Sequence, residues 1–334
     1  MTTPSMRVLF RAAAGPRLGF GHLIRCRSLA RALGVPAVVS LRGTGPTRAA
    51  ARRLGFQVAD GDLRAWRAAT TPCLLVVDDP SAEHADVWVA RAQRLGVPVA
   101  TVHDLGLGYV PSDLGIDGSV RPHRAMRGRC GDLKGPAYAM LDPQVVRWRD
   151  RRSAIADPLQ ILIALGGGAH VVTLAARLSR VITAACPRAR IAVAAGFSAG
   201  RRLPTLTHAE WVVAPDGLGE QLARAAVAVL AGGVTLYEAC AVGTPSVAVA
   251  LTPAQALTVR AMADADAAID GGRLASGSHV DAIAAHVAHL IGDARTQRRL
   301  SAAGRALVDG RGIFRVADRV RELADLGREA HRAA

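Results

Sequence analysis

The chain reads Arg17-Leu-Gly-Phe-Gly-His-Leu-Ile-Arg-Cys26 where a short apolar run, 7–10, gives way to a stretch with helical spacing. The apolar run predicts a strand. The spacing predicts a helix over 23–33, with a repeat of apolar positions at Leu23, Cys26, Leu29, Ala30 and Leu33. A helix that begins after a glycine-rich turn presents backbone N–H groups that can bind an anion. The stretch therefore predicts a strand, a loop and a helix whose start suits a phosphorylated ligand.

This turn lacks the dinucleotide-binding fingerprint. That motif requires a third glycine three residues after Gly21, and position 24 is isoleucine. The helix start carries His22 instead. A histidine at a helix start is often a capping or surface residue, but it is also the side chain best suited to take a proton near neutral pH. Both interpretations of His22 stay open at this point.

Short apolar or β-branched runs alternate with helical stretches along the chain. Strands are predicted at 35–41, 73–77, 97–102, 159–165, 189–195, 210–213, 227–231 and 246–251. This alternation predicts an α/β protein with parallel sheets covered by helices on both faces. The pattern lapses between 141 and 158, where we place a linker.

We therefore predict two Rossmann-like domains with parallel sheets facing across a cleft. The amino-terminal domain spans 1–145, the carboxyl-terminal domain spans 156–315, and a helix within 316–334 packs back across the junction. In sheets of this kind ligands bind at the carboxyl ends of the strands. A ligand in the cleft is the natural expectation.

Two glycine-rich stretches follow predicted strands of the second half. The first is Gly166-Gly-Gly168, and the second is Gly232-Gly-Val-Thr-Leu-Tyr-Glu238. A glycine run alone is more often a tight turn, but the second stretch leads into a helix whose positive end suits a diphosphate. We expect Glu238 in the first helical turn, where it is either a ribose ligand or a stabiliser of the helix dipole.

Acidic side chains follow two predicted strands of the first half. Asp78 and Asp79 end the strand at 73–77, and His103 and Asp104 end the strand at 97–102. These positions face the predicted cleft, although Asp79 before Pro80 is more often a loop cap. The triplets Asp60-Gly-Asp62 and Asp264-Ala-Asp266 could hold a divalent metal, but neither adjoins a glycine loop. We therefore predict no metal.

The composition excludes several classes of function. The formal charge is +15, but only one of the 42 basic residues is lysine and the arginines are spread evenly, so we predict no nucleic-acid partner. Five scattered cysteines without a C-x-x-C pair indicate a reducing compartment. The most apolar tract, 225–250, is interrupted by glycine, proline and glutamate. We expect a cytoplasmic protein with no transmembrane segment.

The motifs as a set resemble one enzyme family over about 7–326. They are Phe10-Arg11, Gly19-Phe-Gly-His22, Arg25-Cys26, Gly135-Pro-Ala-Tyr-Ala-Met-Leu141, Gly166-Gly167, the Gly232 to Glu238 stretch, Gly243-Thr-Pro245, Gln255 and Val308-Asp-Gly310. The chain resembles the UDP-sugar hydrolases of pseudaminic acid biosynthesis, which release UDP from UDP-2,4-diacetamido-2,4,6-trideoxy-altrose. That family has the GT-B fold and is similar to the N-acetylglucosaminyltransferase that makes lipid II.

The resemblance implies a set of roles. His22 is the base that activates water for inverting attack at the anomeric carbon, and we place Asp78 and Asp104 with it in the catalytic group. The residues that would bind the nucleotide and its phosphates are Gly21, Gly167, Gly168, Gly232, Gly233 and Thr235. Glu238 would bind the ribose, and Gln255 would bind the sugar or its phosphate neighbour. No cofactor is implied.

The chain also departs from the family, mainly on the sugar side. It reads Arg11-Ala-Ala-Ala14 where an aspartate is usual, Asp78-Asp79-Pro80 for Asp-His-Tyr, His103-Asp104 for paired aspartates, Gly166-Gly-Gly-Ala169 for Gly-Gly-Ser-Asp, and Ala254 for an asparagine.

Three functions are compatible with the resemblance and with these departures. The first is a hydrolase acting on a UDP-sugar with a nonstandard sugar. The second is an inverting glycosyltransferase with a UDP-sugar donor, for which peripheral membrane contact is an option. The third is a non-catalytic nucleotide-sugar-binding protein.

Overall fold

A computed structural model describes residues 6–15, 18–59, 73–105, 107–122, 126, 128–167, 171–196, 203–274 and 279–333. The chain divides into two compact units. Unit 1 comprises Met1–Pro143 and Arg311–Ala334, and unit 2 comprises Gln144–Gly310.

Unit 1 is built around a parallel sheet. Its elements are β1 (Arg7–Ala13), α1 (Gly21–Leu33), β2 (Val38–Arg42), α2 (Gly45–Arg53), β3 (Gln57–Val58), β4 (Cys73–Asp78), α3 (Ala82–Arg94), β5 (Val99–Val102), β6 (Leu114–Asp117), β7 (Asp132–Lys134), a 3-10 turn (Pro136–Tyr138) and α11 (Gly312–Ala333). The seven described strands are ordered β3-β2-β1-β4-β5-β6-β7. Strands β1 and β4 lie at the centre, so they are buried on both faces and rich in apolar residues.

Helices cover both faces of this sheet. On one face, α1 and α11 bury Leu23, Leu29 and Val316 in a single cluster with Val8 and Phe10. On the other face, α3 packs against the alternate residues of β1 and β4, among them Leu9, Leu75 and Val77. Because successive strand residues point to opposite faces, β1 and β4 supply both layers of the core.

Unit 2 repeats the architecture. Its elements are α4 (Val145–Ile155), β8 (Asp157–Ala164), α5 (Val171–Ala185), β9 (Arg190–Ala194), β10 (Ala209–Val212), α6 (Gly219–Arg224), β11 (Ala225–Ala231), α7 (Val234–Val242), β12 (Ser246–Ala250), α8 (Pro253–Asp264), β13 (Ile269–Arg273), α9 (Val280–Gly292) and α10 (Ala294–Leu307). The six described strands are parallel and ordered β10-β9-β8-β11-β12-β13. Every residue of β11 is buried.

The predicted parallel α/β sheets are confirmed, and several local predictions are corrected. The first break between the units, after Pro143, lies within the stretch 141–158 predicted as a linker. That stretch also contains α4, which was not predicted because its arginine-rich sequence hides the apolar spacing of a helix. Strands β3, β6, β7 and β13 were not predicted, because they are short or interrupted by glycine and charged residues. The final helix, predicted within 316–334, begins at Gly312 and belongs to unit 1. In the described part of the chain, no helix is long and apolar enough to cross a membrane.

Candidate functional site

Three predicted catalytic residues meet at the carboxyl edge of the sheet in unit 1. Asp78 is the last residue of β4, Asp104 follows β5, and His22 is the second residue of α1, which follows β1. Strands β1, β4 and β5 are parallel neighbours, so their carboxyl ends lie at the same edge. The topology therefore brings together residues that are far apart in the sequence.

His22 and Asp78 form a hydrogen-bonded pair. The His22 Nδ1 atom lies 2.7 Å from Asp78 Oδ1, and the side chains are 14% and 1% exposed. A carboxylate can only accept here, so Nδ1 carries the hydrogen and donates it. This choice of tautomer makes Nε2 the nitrogen that can take a proton. The pair therefore has the arrangement of a general base oriented by a buried carboxylate.

Arg25 joins the two aspartates, a role the sequence analysis did not assign to it. Its Nε and Nη2 donate to Asp78 Oδ2 at 3.0 Å and Oδ1 at 2.7 Å, a bidentate contact. Its Nη1 donates to Asp104. Its Nη2 also lies 2.9 Å from His22 Nδ1, a close approach of two groups that each carry hydrogen. Arg25 follows His22 by three residues on α1, and that spacing on one helix face was the available signal.

The electrostatics favour the ionised forms of Arg25 and Asp104. Burial opposes the charged form of Arg25, but Asp104 and Asp78 outweigh it and raise the pKa of the guanidinium well above its usual value. Desolvation likewise opposes the ionisation of Asp104, but the positive charge of Arg25 outweighs it and lowers the pKa of that carboxyl. Two carboxylates and one guanidinium carry a net negative charge beside His22. Such a field stabilises the imidazolium that forms when Nε2 takes a proton.

The neighbouring candidates of unit 1 have other partners. Asp79 accepts from Arg42 Nε at 2.8 Å and from the backbone N–H of Ser81 at 3.0 Å, so it caps the loop after β4. The His103 ring is buried, with Nε2 2.8 Å from Thr101 Oγ1, and burial lowers the pKa of His103 despite nearby carboxylates. Of these two histidines, His22 has a ring nitrogen hydrogen-bonded to a carboxylate, whereas His103 is bonded to a hydroxyl.

The glycine loops of unit 2 also share one sheet edge. Gly166 and Gly167 follow β8, Gly232 and Gly233 follow β11, and β8 and β11 are parallel neighbours. A Cβ on Gly232 would lie 2.7 Å from the carbonyl oxygen of Gln255, so the close approach of α8 requires glycine there. At Gly233 a Cβ would meet no described atom within 4 Å. Gly168 lies outside the described residues.

The remaining predicted nucleotide ligands lie on α7 and α8. Thr235 is the second residue of α7 and is half-buried. The expectation that Glu238 lies in the first turn is wrong, because α7 begins at Val234 and Glu238 is its fifth residue. The Gln255 Oε1 atom accepts the backbone N–H of Leu251 at 2.8 Å, so this side chain holds the loop between β12 and α8.

In the described ranges no three His, Cys, Asp or Glu side chains are grouped as metal ligands. The first D-x-D triplet, Asp60 to Asp62, lies outside the described residues. In the second triplet Asp266 is paired with Arg299.

No family model matches the chain. A curated relative is the spore coat polysaccharide biosynthesis protein SpsG of Bacillus subtilis, 27% identical over 218 residues. The match covers 60% of this chain and 61% of that protein.

Solved glycosyltransferase structures match almost the whole chain. They include the MurG protein of Acinetobacter baumannii (TM-score 0.62, 16% identity, 95% of this chain and 99% of that one). The spinosyn rhamnosyltransferase SpnG, complexed with thymidine diphosphate, has a TM-score of 0.62 and 17% identity over 95% of this chain and 99% of that one. The kitacinnamycin glycosyltransferase has a TM-score of 0.58 and 18% identity over 96% of this chain and 100% of that one. The chain therefore has the GT-B fold of these glycosyltransferases.

Proposed function

We propose that the protein is an inverting, metal-independent glycosyltransferase that uses a nucleoside-diphosphate sugar, with UDP as the expected nucleotide. The observation that carries this proposal is the His22–Asp78 pair at the carboxyl edge of the unit 1 sheet, with Arg25 bridging Asp78 to Asp104. A base with a fixed tautomer is what deprotonation of a hydroxyl requires. In this assignment unit 1 supplies the base and unit 2 binds the nucleotide.

The reaction would be a single displacement. An acceptor hydroxyl oxygen attacks the anomeric carbon, and His22 Nε2 takes the hydroxyl proton as the new C–O bond forms. The bond from the anomeric carbon to the diphosphate breaks, and the nucleoside diphosphate leaves with the electron pair. Attack from the face opposite the leaving group inverts the anomeric centre. The negative charge of Asp78 then stabilises the imidazolium.

The unit 2 loops support the donor-binding half of the proposal. Gly232 and Gly233 stand at the start of α7, where backbone N–H groups and the helix dipole favour a diphosphate. Gly167 lies on the neighbouring loop, and Thr235 supplies a hydroxyl. We assign Glu238 to the ribose hydroxyls, one helical turn from the phosphates. SpnG was solved with thymidine diphosphate, and SpsG is a polysaccharide biosynthesis protein; both support a sugar-nucleotide donor.

Hydrolysis of the same donor is the second candidate. Water could take the place of the acceptor hydroxyl with no change in the role of His22, and the motif resemblance to UDP-sugar hydrolases favours it. The imidazole is only 14% exposed, which favours a small nucleophile. The two candidates share the base, the donor and inversion, and differ only in the nucleophile.

One experiment tests the function and separates these candidates. The pure full-length chain is incubated with a panel of UDP- and dTDP-sugars, with and without hydroxyl acceptors, and nucleoside diphosphate and sugar products are measured. Transfer predicts release that requires an acceptor, and hydrolysis predicts release in water alone. Either activity should fall about 10²–10⁴-fold in His22→Ala.

The control is His84→Ala, because His84 is an exposed histidine of α3 bonded to Ser81. Equal losses in the two variants would contradict the assignment of His22. Saturable UDP binding without turnover on any donor would support a non-catalytic binding protein instead.

A further inference from the structure

An arginine-lined pocket lies in unit 2, at the sheet edge opposite the glycine loops. Pro245 lines it just before β12 begins, whereas Gly232 follows the end of the neighbouring β11. Strand β11 is seven residues long, about 20 Å, so the pocket is distinct from the proposed diphosphate site. Its volume is about 630 Å³.

Two helices supply four arginines to this pocket. Arg149 and Arg152 are three residues apart on α4, and Arg298 and Arg305 are two turns apart on α10. These spacings place each pair on one helix face. Ser301, between the α10 arginines, adds a hydroxyl. Among the described residues that line the pocket, none is Asp or Glu.

The α4 arginines are held in place by backbone carbonyls. The Arg149 Nη1 atom donates to the carbonyl of Ala241 at 3.1 Å, at the end of α7. The Arg152 Nη1 atom donates to the carbonyls of Leu222 at 2.9 Å and Ala225 at 2.8 Å. Carbonyls orient a guanidinium without cancelling its charge. The Arg152 contacts use Nη1, and a guanidinium has five N–H donors.

The positive charges of the pocket arginines repel one another. Burial, and after it the charge of Arg305, lowers the pKa of Arg152 to about 10. Positive charges gathered on a wall without acidic residues raise the free energy of the folded protein. A bound anion would remove that cost, and guanidinium groups match phosphate oxygens bidentately.

We propose that this pocket binds a phosphate-bearing anion through Arg298, Arg305 and the carbonyl-oriented Arg152. Its volume falls in the range of about 300–1,000 Å³ that is usual for small-molecule sites. The ligand is either a soluble phosphate compound or the head group of an anionic phospholipid. The inference does not depend on the proposed sugar transfer, because the pocket shares no residue with the site at the other edge.

The test measures anion binding by the full-length protein. Inorganic pyrophosphate is titrated by calorimetry into the wild type, the Arg298→Gln/Arg305→Gln double variant, and an Arg180→Gln control, each in excess UDP so that the proposed diphosphate site is occupied. Arg180 is exposed on α5 and is not among the pocket residues. Thermal unfolding of each variant checks that it is folded. In parallel, sedimentation with phosphatidylcholine vesicles, with and without phosphatidylglycerol, tests the lipid source.

We expect pyrophosphate or phosphatidylglycerol vesicles to bind the wild type and the control, and to bind the double variant about tenfold or more weakly. The wild-type affinity should fall as salt is added. Pyrophosphate binding alone identifies a soluble ligand, and binding to anionic vesicles alone identifies a lipid head group. The proposal is overturned if neither probe binds the wild type, or if the folded double variant binds as tightly as the wild type.

Discussion

The two units present the same sheet edge with different chemistry. At the carboxyl edge of unit 1, charged side chains form a hydrogen-bonded cluster around His22. At the carboxyl edge of unit 2, glycines and the start of α7 present backbone groups. Proton transfer needs a side chain with an adjustable charge, whereas binding a diphosphate needs close backbone approach. In the proposed function, the same architecture used twice supplies a proton-handling site in unit 1 and an anion-binding site in unit 2.

The largest expected effect comes from removing the carboxylate that fixes the tautomer of His22 in unit 1. Asp78→Asn removes the carboxylate that accepts the Nδ1 hydrogen of His22. We expect turnover to fall about 10²-fold or more while donor binding changes little, because unit 2 is untouched. Steady-state kinetics on the donor found by the release assay measure this. Asp86→Asn, at an exposed position of α3, is the control, and a similar loss there would argue against the pair.

The glycines of unit 2 offer the matching test. Gly232→Ala places a Cβ 2.7 Å from a backbone oxygen, so we expect a loss of about 1–3 kcal/mol in the free energy of unfolding. Gly233 has extended backbone, with φ −123° and ψ −161°, and open space around it, so Gly233→Ala should keep its stability. We expect Gly233→Ala to raise the KM for the donor. Denaturant unfolding measures the stability of both variants, and steady-state kinetics measure the KM for the donor. An unchanged KM in Gly233→Ala would count against diphosphate binding at Gly233.

The ion pair between Arg42 and Asp79 in unit 1 predicts that the free energy of unfolding depends on pH. Burial opposes ionisation of Asp79, but Arg42 and the Ser81 N–H outweigh it and lower the pKa of that carboxyl. The resulting stability is present above the unfolded pKa of about 3.9 and is lost as the pH falls through the lower folded pKa. Arg42→Gln should therefore cost about 1–2 kcal/mol near pH 7, and the difference from the wild type should shrink in acid. Urea unfolding as a function of pH measures it, and a difference independent of pH would contradict the pairing.

The smallest effect is expected at an exposed ion pair of unit 2. Arg224 and Glu220 are 2.9 Å apart on α6, with both side chains nearly half exposed. Water screens such a pair, so Arg224→Gln should change the free energy of unfolding by less than about 0.5 kcal/mol. Denaturant unfolding measures this at low and high salt. If Arg224→Gln lowered the free energy of unfolding as much as Arg42→Gln does, the expectation that buried ion pairs stabilise the fold more than exposed ones would be contradicted.

Much of the fold could be predicted because strand periodicity is local. The β-rich runs of unit 2 lie where the structure has β8, β11 and β12. Strand β13, with the sequence Ile-Asp-Gly-Gly-Arg, escaped prediction because an edge strand buries too little to need an apolar run. Helix α4 was missed because its arginines look like exposed charges in the sequence, whereas in the structure their guanidinium groups donate to backbone carbonyls.

The sequence by itself determined which residues stand at the ends of strands and at helix starts. It placed His22 at a helix start and Asp78 and Asp104 after strands, because each depends only on the period of its own segment. It did not determine that Asp78 rather than Asp79 binds His22, or that Arg25 joins Asp78 to Asp104. Those contacts required β4 to lie beside β1, across 56 positions of sequence. Pairing between distant strands is decided by packing of the whole unit, so only the tertiary structure could assemble the cluster.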